Sequence, residues 1–215
     1  MDVVPYLTTV QIETLLHGIA LVAGGVAFGI GVWQYSKGQA WKRYEFVAAE
    51  AREFYADRQI RNAMQMIDWG TREIELFPDH PDYNSRFVAI TRPVLHTALT
   101  THDKIGRPFT RTEAAIRDCF DAFWGGLERF EEFVQAGLVR PKEVEPYLDY
   151  WMRSICKEAN PELQRILNEY VVFYHFIGVS TLFNRYGWQF GTGKALPPSD
   201  RQKVEEEYDN VYEVT

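Results

Sequence analysis

The sequence has few cysteines and, over its first 36 residues, no basic residue. Cys119 and Cys156 are the two cysteines among 215 residues, and each lies within an apolar helical pattern. We interpret both as small buried hydrophobic residues in a reducing compartment, although two cysteines also allow one disulfide. Because 46% of the residues are hydrophobic and 25% are charged, the chain can form a core without disulfides.

Motifs for the common chemistries are also missing. There is no pair of Glu-x-x-His segments for a di-iron bundle, no His-Glu-x-x-His, no Cys-x-x-Cys and no Gly-x-Ser-x-Gly. The sequence therefore predicts no metal, no cofactor and no particular reaction; an enzyme whose site is assembled from residues far apart in the chain is the alternative. The net charge of -7 argues against a nucleic-acid partner, because binding phosphates requires clustered Lys and Arg.

One long segment lacks charge altogether. From Thr14 to Ser36 the chain contains no Asp, Glu, Lys or Arg, and these 23 residues would extend about 34 Å as a helix. A hydrocarbon core is about 30 Å thick, so the segment predicts a transmembrane helix and a lipid bilayer as partner. Aromatic and basic residues follow the apolar run, as expected at a membrane interface, and the predicted anchors are Trp33, Tyr35, Lys37, Lys42 and Arg43.

Two other interpretations of this segment are a cleaved signal peptide and a buried helix of a soluble domain. A signal peptide carries basic residues before its apolar run, whereas residues 1–36 contain no Lys or Arg. A retained anchor is therefore the favoured interpretation. All 23 Lys and Arg follow the segment, and the positive-inside rule then predicts an outside N-terminus and a cytoplasmic domain, in an inner (cytoplasmic-type) membrane.

Small residues recur within the predicted span. Spacings of three and four place several of them on one helix face, and such faces let membrane helices approach closely. The residues predicted to pack against a second copy or another membrane protein are His17, Ala20, Gly24, Gly25, Ala27, Gly29 and Gly31. His17 would make a buried polar contact there, with the alternative that it ligates a cofactor held by a partner.

The rest of the chain predicts an all-α fold, a single N-terminal transmembrane helix followed by a cytoplasmic helical bundle-like domain. A helical pattern runs from Trp41 to Trp69, Arg72 to Asp82 indicates a connecting loop, and Tyr83 to Ile90 fits either helix or strand. Thr110 and Glu113 form a capping-box pair, and Gly137 ends that helix. The predicted segments are a short non-cytoplasmic tail (1–13), the transmembrane helix (14–36), the helical cytoplasmic domain (37–190) and an acidic flexible tail (191–215).

Three groups of polar residues in the predicted domain are possible sites, and each has a structural interpretation that we favour. We expect His175, which lies among aromatic residues, to be a hydrogen-bonded core histidine. Asp68, Trp69 and Arg72 would form a polar cluster in which a local ion pair closes a turn. We expect the three glutamates on the helix that follows Thr110 to form a solvated face, since no histidine accompanies them: Glu128, Glu131 and Glu132.

Several stretches carry a resemblance to other proteins. They are Arg61–Trp69, Phe120–Phe130, Gly137-Leu-Val and Pro146–Trp151. With this aromatic-aliphatic spacing, residues 40 to 190 resemble bacterial proteins of an uncharacterised helical family, whose members often carry one N-terminal span. The resemblance implies the same fold outline. Because that family has no assigned activity, it implies nothing about mechanism.

Two functions fit these expectations. The first is a non-enzymatic accessory or scaffold subunit of a membrane protein complex, anchored by one span that packs through its small-residue face. The second is a membrane-tethered sensor or effector that binds a small ligand in its helical domain. The small residues of the span favour the first, and the second requires a cavity that the sequence alone does not reveal.

Overall fold

A computed structural model describes residues 9–190, with side chains for residues 16–190 except Glu158. Contacts divide the chain into two units, one up to Glu45 and one from Phe46 onward. The predicted acidic tail (191–215) and residues 1–8 of the predicted N-terminal tail lie outside the described residues. Within the described part the fold is mostly helical, with 75% helix and eight α-helices.

The first helix, α1 (Thr9–Ala56), is long and apolar and has no break at Gly38. Its stretch from Leu16 is long and apolar enough to cross a membrane, although a signal sequence near an N-terminus meets the same criteria. None of that apolar window is buried. Large apolar side chains between residues 16 and 33 are exposed, among them Leu21 (80%), Val22 (66%) and Phe28 (75%). Exposed apolar residues at this density are rare on proteins surrounded by water.

The second unit begins with the last turns of α1, where Val47, Ala51 and Phe54 are buried. The helices that follow are α2 (Arg58–Asp68), α3 (Arg92–Leu99), α4 (His102–Ile105), α5 (Arg111–Gln135), α6 (Pro141–Arg153), α7 (Pro161–Phe173) and α8 (Ile177–Arg185). A π-helical turn, Ser154–Glu158, joins α6 to the loop before α7.

A β-hairpin corrects two predictions. The segment predicted as a loop contains β1 (Thr71–Glu75), which pairs antiparallel with β2 (Phe87–Thr91) in the register Thr71 opposite Thr91. The ambiguous segment before Ile90 is thus partly strand, after a 3-10 turn (Asn84–Arg86). The described part of the chain is therefore mostly helical, as predicted, with one two-stranded hairpin added. The hairpin arises because β1 and β2 can hydrogen-bond to each other across an intervening loop, a long-range pairing that local patterns do not reveal.

The helix predicted to run from Trp41 to Trp69 is interrupted at Asp57. This residue is the N-cap of α2: its φ is -62° and its ψ is 129°, and its carboxylate accepts a hydrogen bond from the Ile60 N–H at 2.9 Å. An Asp side chain satisfies the free N–H groups of a helix start, so it favours a new helix over continuation of the old one. The apolar periodicity continues across the break, which is why the sequence pattern did not show it.

Helix α5 begins and ends as predicted. The Thr110 hydroxyl accepts from the Glu113 N–H at 3.2 Å, and the Glu113 carboxylate accepts from the Thr110 N–H at 2.8 Å. The same carboxylate accepts from Arg107, and these bonds hold the pKa of Glu113 low, at about 2. At the other end Gly137 takes a φ of +67°, a conformation that glycine adopts without strain.

The core of the second unit surrounds α5. Its largest fully buried side chains are mainly aromatic: Trp124, Tyr170, Phe54, Phe120, Phe123, Phe130 and Phe183. The ring centroids of Phe54 and Phe130 lie 5.5 Å apart with an edge-to-face geometry, which is favourable for aromatic pairs. Both cysteines are buried, as predicted, and neither forms a disulfide.

Glu131 does not belong to a solvated face, and that prediction is wrong for this residue. Its side chain is 1% exposed and forms an ion pair with Arg185 of α8, whose side chain is 4% exposed. The Arg185 Nε–H donates to Glu131 at 2.9 Å and an Nη2–H donates to the second oxygen. Glu128 is also engaged, since it accepts from the Gly178 N–H at 2.9 Å. Both glutamates face α8, a partner that spacing within α5 could not identify.

Gly126 of α5 lies directly against Phe54. A Cβ built at Gly126 would come within 2.5 Å of the Phe54 ring, whereas a Cβ at the adjacent Gly125 meets nothing within 4 Å. Gly126→Ala should therefore destabilise the protein by about 1–3 kcal/mol, the usual cost of overpacking. Gly125→Ala should stabilise it by about 0.5–1 kcal/mol, because alanine favours helix.

These two glycine variants are compared by denaturant unfolding of the full chain in detergent, followed by circular dichroism at 222 nm. The pair is closely matched, since both substitutions add one methyl group to consecutive residues of one helix. Equal midpoints for the two variants would show that the Phe54 contact does not constrain α5.

Candidate functional site

One cavity of the second unit has a volume of about 530 Å³, within the range typical of small-molecule sites. It lies where the end of α2, the start of α3, the end of α6 and the start of α7 converge. The residues that line it are Ile67, Asp68, Trp69, Arg92, Tyr150, Ser154, Ala159 and Asn160. Polar groups from four separate segments therefore face one space, and no local motif connects them.

Arg92 joins α2 to α3 at this cavity. It is the first residue of α3, and its guanidinium donates to the carbonyl oxygens of Met66 and Ile67, each at 3.2 Å. These carbonyl groups belong to the last turn of α2, so they have no hydrogen-bond donor within their own helix. Partial burial of Arg92 lowers the pKa of its guanidinium. Among the described side chains it forms no ion pair with a carboxylate within 4 Å, although Asp68 lines the same cavity.

Asp68 and Trp69 line the cavity where α2 ends. The Tyr150 hydroxyl of α6 donates to an Asp68 carboxylate oxygen at 3.0 Å. The Arg72 guanidinium lies over the Trp69 ring, 4.6 Å from its centroid, and the indole is 55% exposed. The predicted polar cluster at this helix end is therefore present, but its contacts are a cation–π contact and a tyrosine bond rather than the ion pair that we expected.

Ser154 and Asn160 add further hydrogen-bonding groups to the lining of the cavity. Ser154 opens the π-helical turn, and its carbonyl accepts from the Ala159 N–H at 2.7 Å. The residue is 6% exposed and lines the cavity. Asn160 is the N-cap of α7, where its side-chain oxygen accepts from the Glu162 N–H at 2.8 Å. This leaves the Asn160 amide N–H groups available to a ligand.

A shallow groove adjoins the cavity and shares Arg92 and Asn160 with it. In the groove the His96 Nε2 lies 3.2 Å from a Glu162 carboxylate oxygen, and the two side chains are 38% and 66% exposed. An exposed pair of this kind contributes little to stability. The groove adds about 40 Å³ of space beside the cavity.

The histidine predicted to lie in the core, His175, is on the surface. It follows α7 in a left-handed conformation with a φ of +61°, and its Nδ1 lies 3.0 Å from the Phe173 carbonyl. The prediction is wrong because α7 ends at Phe173, so the helical periodicity that pointed His175 inward no longer applies. No group of three or more His, Cys, Asp or Glu residues suited to a metal ion occurs among the described residues.

The residues predicted to pack within a membrane all lie on α1, and from His17 to Tyr35 they are exposed. A Cβ added at Gly24, Gly25, Gly29 or Gly31 meets nothing within 4 Å apart from the helix's own backbone. Among the predicted anchors, the Lys37 ammonium lies over the Trp33 ring, 4.0 Å from its centroid. Lys42 is exposed and Arg43 is partly buried. The roles of these residues in packing and anchoring stay predictions.

A scan against protein-family models found no match to this chain, and searches of curated proteins and of solved structures found none either. The family resemblance drawn from the sequence therefore stays a prediction.

Replacing Arg92 tests whether its hydrogen bonds hold the end of α2 in place. Arg92→Met keeps a long apolar side chain but removes both donors to the α2 carbonyls, so it should destabilise the protein by about 1.5–3 kcal/mol. The control is Arg72→Met, which removes an exposed cation–π contact and should cost about 0.5–1 kcal/mol. Both are measured by denaturant unfolding in detergent. A smaller loss for Arg92→Met than for Arg72→Met would show that Arg92 does not hold the end of α2.

Proposed function

We propose that this chain is a non-enzymatic accessory or scaffold subunit of a membrane protein complex, anchored by the single span 14–36. The observation that supports the anchor is the continuous exposure of large apolar side chains from Leu16 to Trp33 on α1. Water would solvate this surface at a high free-energy cost, whereas lipid tails would cover it at none. The charges on each side of the span agree, since Glu13 precedes it and the basic residues follow it.

The domain from residue 37 onward is proposed to lie in the cytoplasm, with the N-terminus outside. Lys37, Lys42, Arg43 and Arg52 follow the span within about 20 residues, the distance over which basic residues determine orientation. Trp33 and Tyr35 are proposed to lie at the interface with the lipid headgroups, where their amphipathic rings are favoured. In this orientation both cysteines are in a reducing compartment, in agreement with their burial without a disulfide.

The proposed scaffold function concerns the small-residue face of the span. Ala20, Gly24, Ala27 and Gly31 share one face of α1, and the absence of side chains there lets a second helix approach closely. The partner is proposed to be another membrane protein or a second copy of this chain. No metal cluster occurs in the described residues, and a structural role for the complex requires none.

A second candidate function is a membrane-tethered sensor that binds a small ligand. The cavity at the end of α2 favours it, because about 530 Å³ of space is lined by Arg92, Ser154 and Asn160, whose polar groups converge from different helices. A scaffold needs no such cavity. The two functions are compatible, since ligand binding in the domain and helix packing in the membrane use separate residues.

Anchoring is tested by placing two carboxylates at the middle of the span. Val22→Asp combined with Val26→Asp should release the protein from membranes, because an acidic residue at the centre of a membrane helix costs about 2.5–3.5 kcal/mol. The matched control is Val22→Leu with Val26→Leu. The measurement is the fraction of protein that stays in the membrane pellet after extraction with alkaline carbonate. If the Asp variant stays in the pellet as fully as the Leu variant, residues 14–36 are not the anchor.

Packing in the membrane is tested by filling the small-residue face. Gly24→Leu combined with Gly31→Leu should reduce association by about fivefold or more, since two bulky side chains keep the helices apart. The control is Val22→Leu with Val26→Leu, which leaves that face unchanged. Association is measured by chemical crosslinking in native membranes followed by mass spectrometry. Unchanged crosslinking in the glycine variant would remove the role proposed for this face.

A further inference from the structure

We propose that the cavity at the end of α2 binds a small organic oxyanion, a carboxylate or a phosphate ester, with Arg92, Ser154 and Asn160 as donors. This inference rests on the second candidate function, that of a ligand-binding domain, and gives it a ligand class. It does not depend on membrane anchoring.

The first observation that supports an anionic ligand is the positive charge of Arg92. Its guanidinium has five N–H donors, and its described bonds go to two neutral carbonyls, those of Met66 and Ile67. Burial of a cation is costly, and an anion in the adjoining cavity would lower the cost of the partial burial of Arg92. Planar guanidinium groups bind carboxylates and phosphates through two parallel hydrogen bonds, which gives both affinity and orientation.

Ser154 supplies a second hydrogen-bonding group. The residue is 94% buried and lines the cavity. A ligand oxygen in the cavity would accept from its hydroxyl, because a serine hydroxyl donates readily to an anionic oxygen.

The start of α7 adds further donors on the same cavity wall. Asn160 caps this 13-residue helix with its side-chain oxygen, which leaves its amide N–H groups for a ligand. The positive end of the helix dipole lies at the same position and favours an anion. The donors on the cavity wall thus come from α3, the π-helical turn and the start of α7.

One carboxylate among the described lining residues opposes an anion, that of Asp68. Its oxygen accepts the Tyr150 hydroxyl at 3.0 Å, which offsets part of its charge. Glu162, in the adjoining groove, lies 3.2 Å from the His96 Nε2. The apolar surfaces of Ile67 and of the Trp69 and Tyr150 rings are suited to the carbon skeleton of a ligand rather than to its charged group. An organic oxyanion therefore fits the lining better than a bare inorganic ion does.

The experiment uses the full chain in detergent micelles and isothermal titration calorimetry. The probes are benzoate, phenyl phosphate and benzamide, which share an aromatic ring but differ in charge, and inorganic phosphate tests the anion without a carbon skeleton. Every titration is carried out at the same ionic strength. We expect saturable binding of benzoate or phenyl phosphate, at least about tenfold tighter than that of benzamide. Tighter binding of benzoate would indicate a carboxylate ligand, and tighter binding of phenyl phosphate would indicate a phosphate ester.

Two variants then assign the binding to the cavity. Asn160→Asp keeps a good N-cap but adds a negative charge, and it should weaken binding of the anion by about tenfold or more. Ser154→Ala removes one donor and should weaken it by about tenfold. The control is Asn84→Asp, which makes the same change on the exposed turn before β2, outside the cavity, and should leave the dissociation constant unchanged. Thermal unfolding without probe verifies that each variant is folded.

Three results would overturn the proposal. They are the absence of saturable binding for both organic anions, equal binding of benzamide, and unchanged binding in both Asn160→Asp and Ser154→Ala. Because the experiment is carried out in micelles, it gives the same answer whether or not residues 14–36 anchor the chain. Loss of membrane association with intact anion binding would refute the anchor alone, and the reverse result would refute the ligand alone.

Discussion

The Phe54 ring lies against the backbone of α5 at Gly126, where a Cβ would come within 2.5 Å of it. This contact fixes the last turns of α1 on α5, since Phe54 also packs against Phe123 and Phe130 of the same helix. Three residues later Asp57 starts α2, so the course of α2 depends on where Phe54 is held. The cavity then forms at the far end of α2, where Arg92 meets the carbonyls of its last turn. The position of the cavity therefore depends on glycine, which has no side chain, at position 126 of α5.

A buried ion pair supplies a second constraint on α5. Glu131 and Arg185 are almost fully enclosed, and a double hydrogen bond joins α5 to α8. Two charges lose their hydration on burial, so such a pair adds little net stability compared with apolar residues of the same shape. Removing one member is different, because the other charge is then left buried without compensation, at a typical cost of about 3–5 kcal/mol. The pair therefore selects one register of α8 against α5 more than it strengthens the fold.

The sequence predicted those elements whose causes are local. The capping box of Thr110 and Glu113 and the glycine stop at Gly137 act within a few residues of chain, and both are present in the structure. The hairpin was missed because β1 is stabilised by pairing with β2, from which 11 residues separate it in the chain. The sequence of β1 also lacks the alternation of apolar and polar residues that marks a half-buried strand.

Most of the candidate site could not be predicted from the sequence, again because the residues that meet there are far apart in the chain. Asp68 and Trp69 were recognisable as a polar helix end, but Arg92, Ser154 and Asn160 lie 24 to 92 residues further along the chain. Two of them have a local interpretation that hides their place in the cavity: Arg92 precedes a proline, and Asn160 is an N-cap. Glu131 shows the same limit, because a charged residue on a helix is expected to face water unless its partner on another helix is known.

Arg92 also links the cavity to the stability of the domain. Its guanidinium completes the end of α2 with some of its N–H groups and presents the rest to the cavity. An anion bound there would interact with the same cation that holds the two carbonyls, so ligand binding and the end of α2 would share one group. Any ligand that binds the folded state alone stabilises it in proportion to the logarithm of its concentration over its dissociation constant. Part of that stabilisation would act on the α2–α3 connection, which leads through the hairpin from Trp69 to Arg92. A ligand-dependent change at this connection is a physical route by which the domain could signal, and it requires no movement of α5 or of the ion pair that α5 forms with α8.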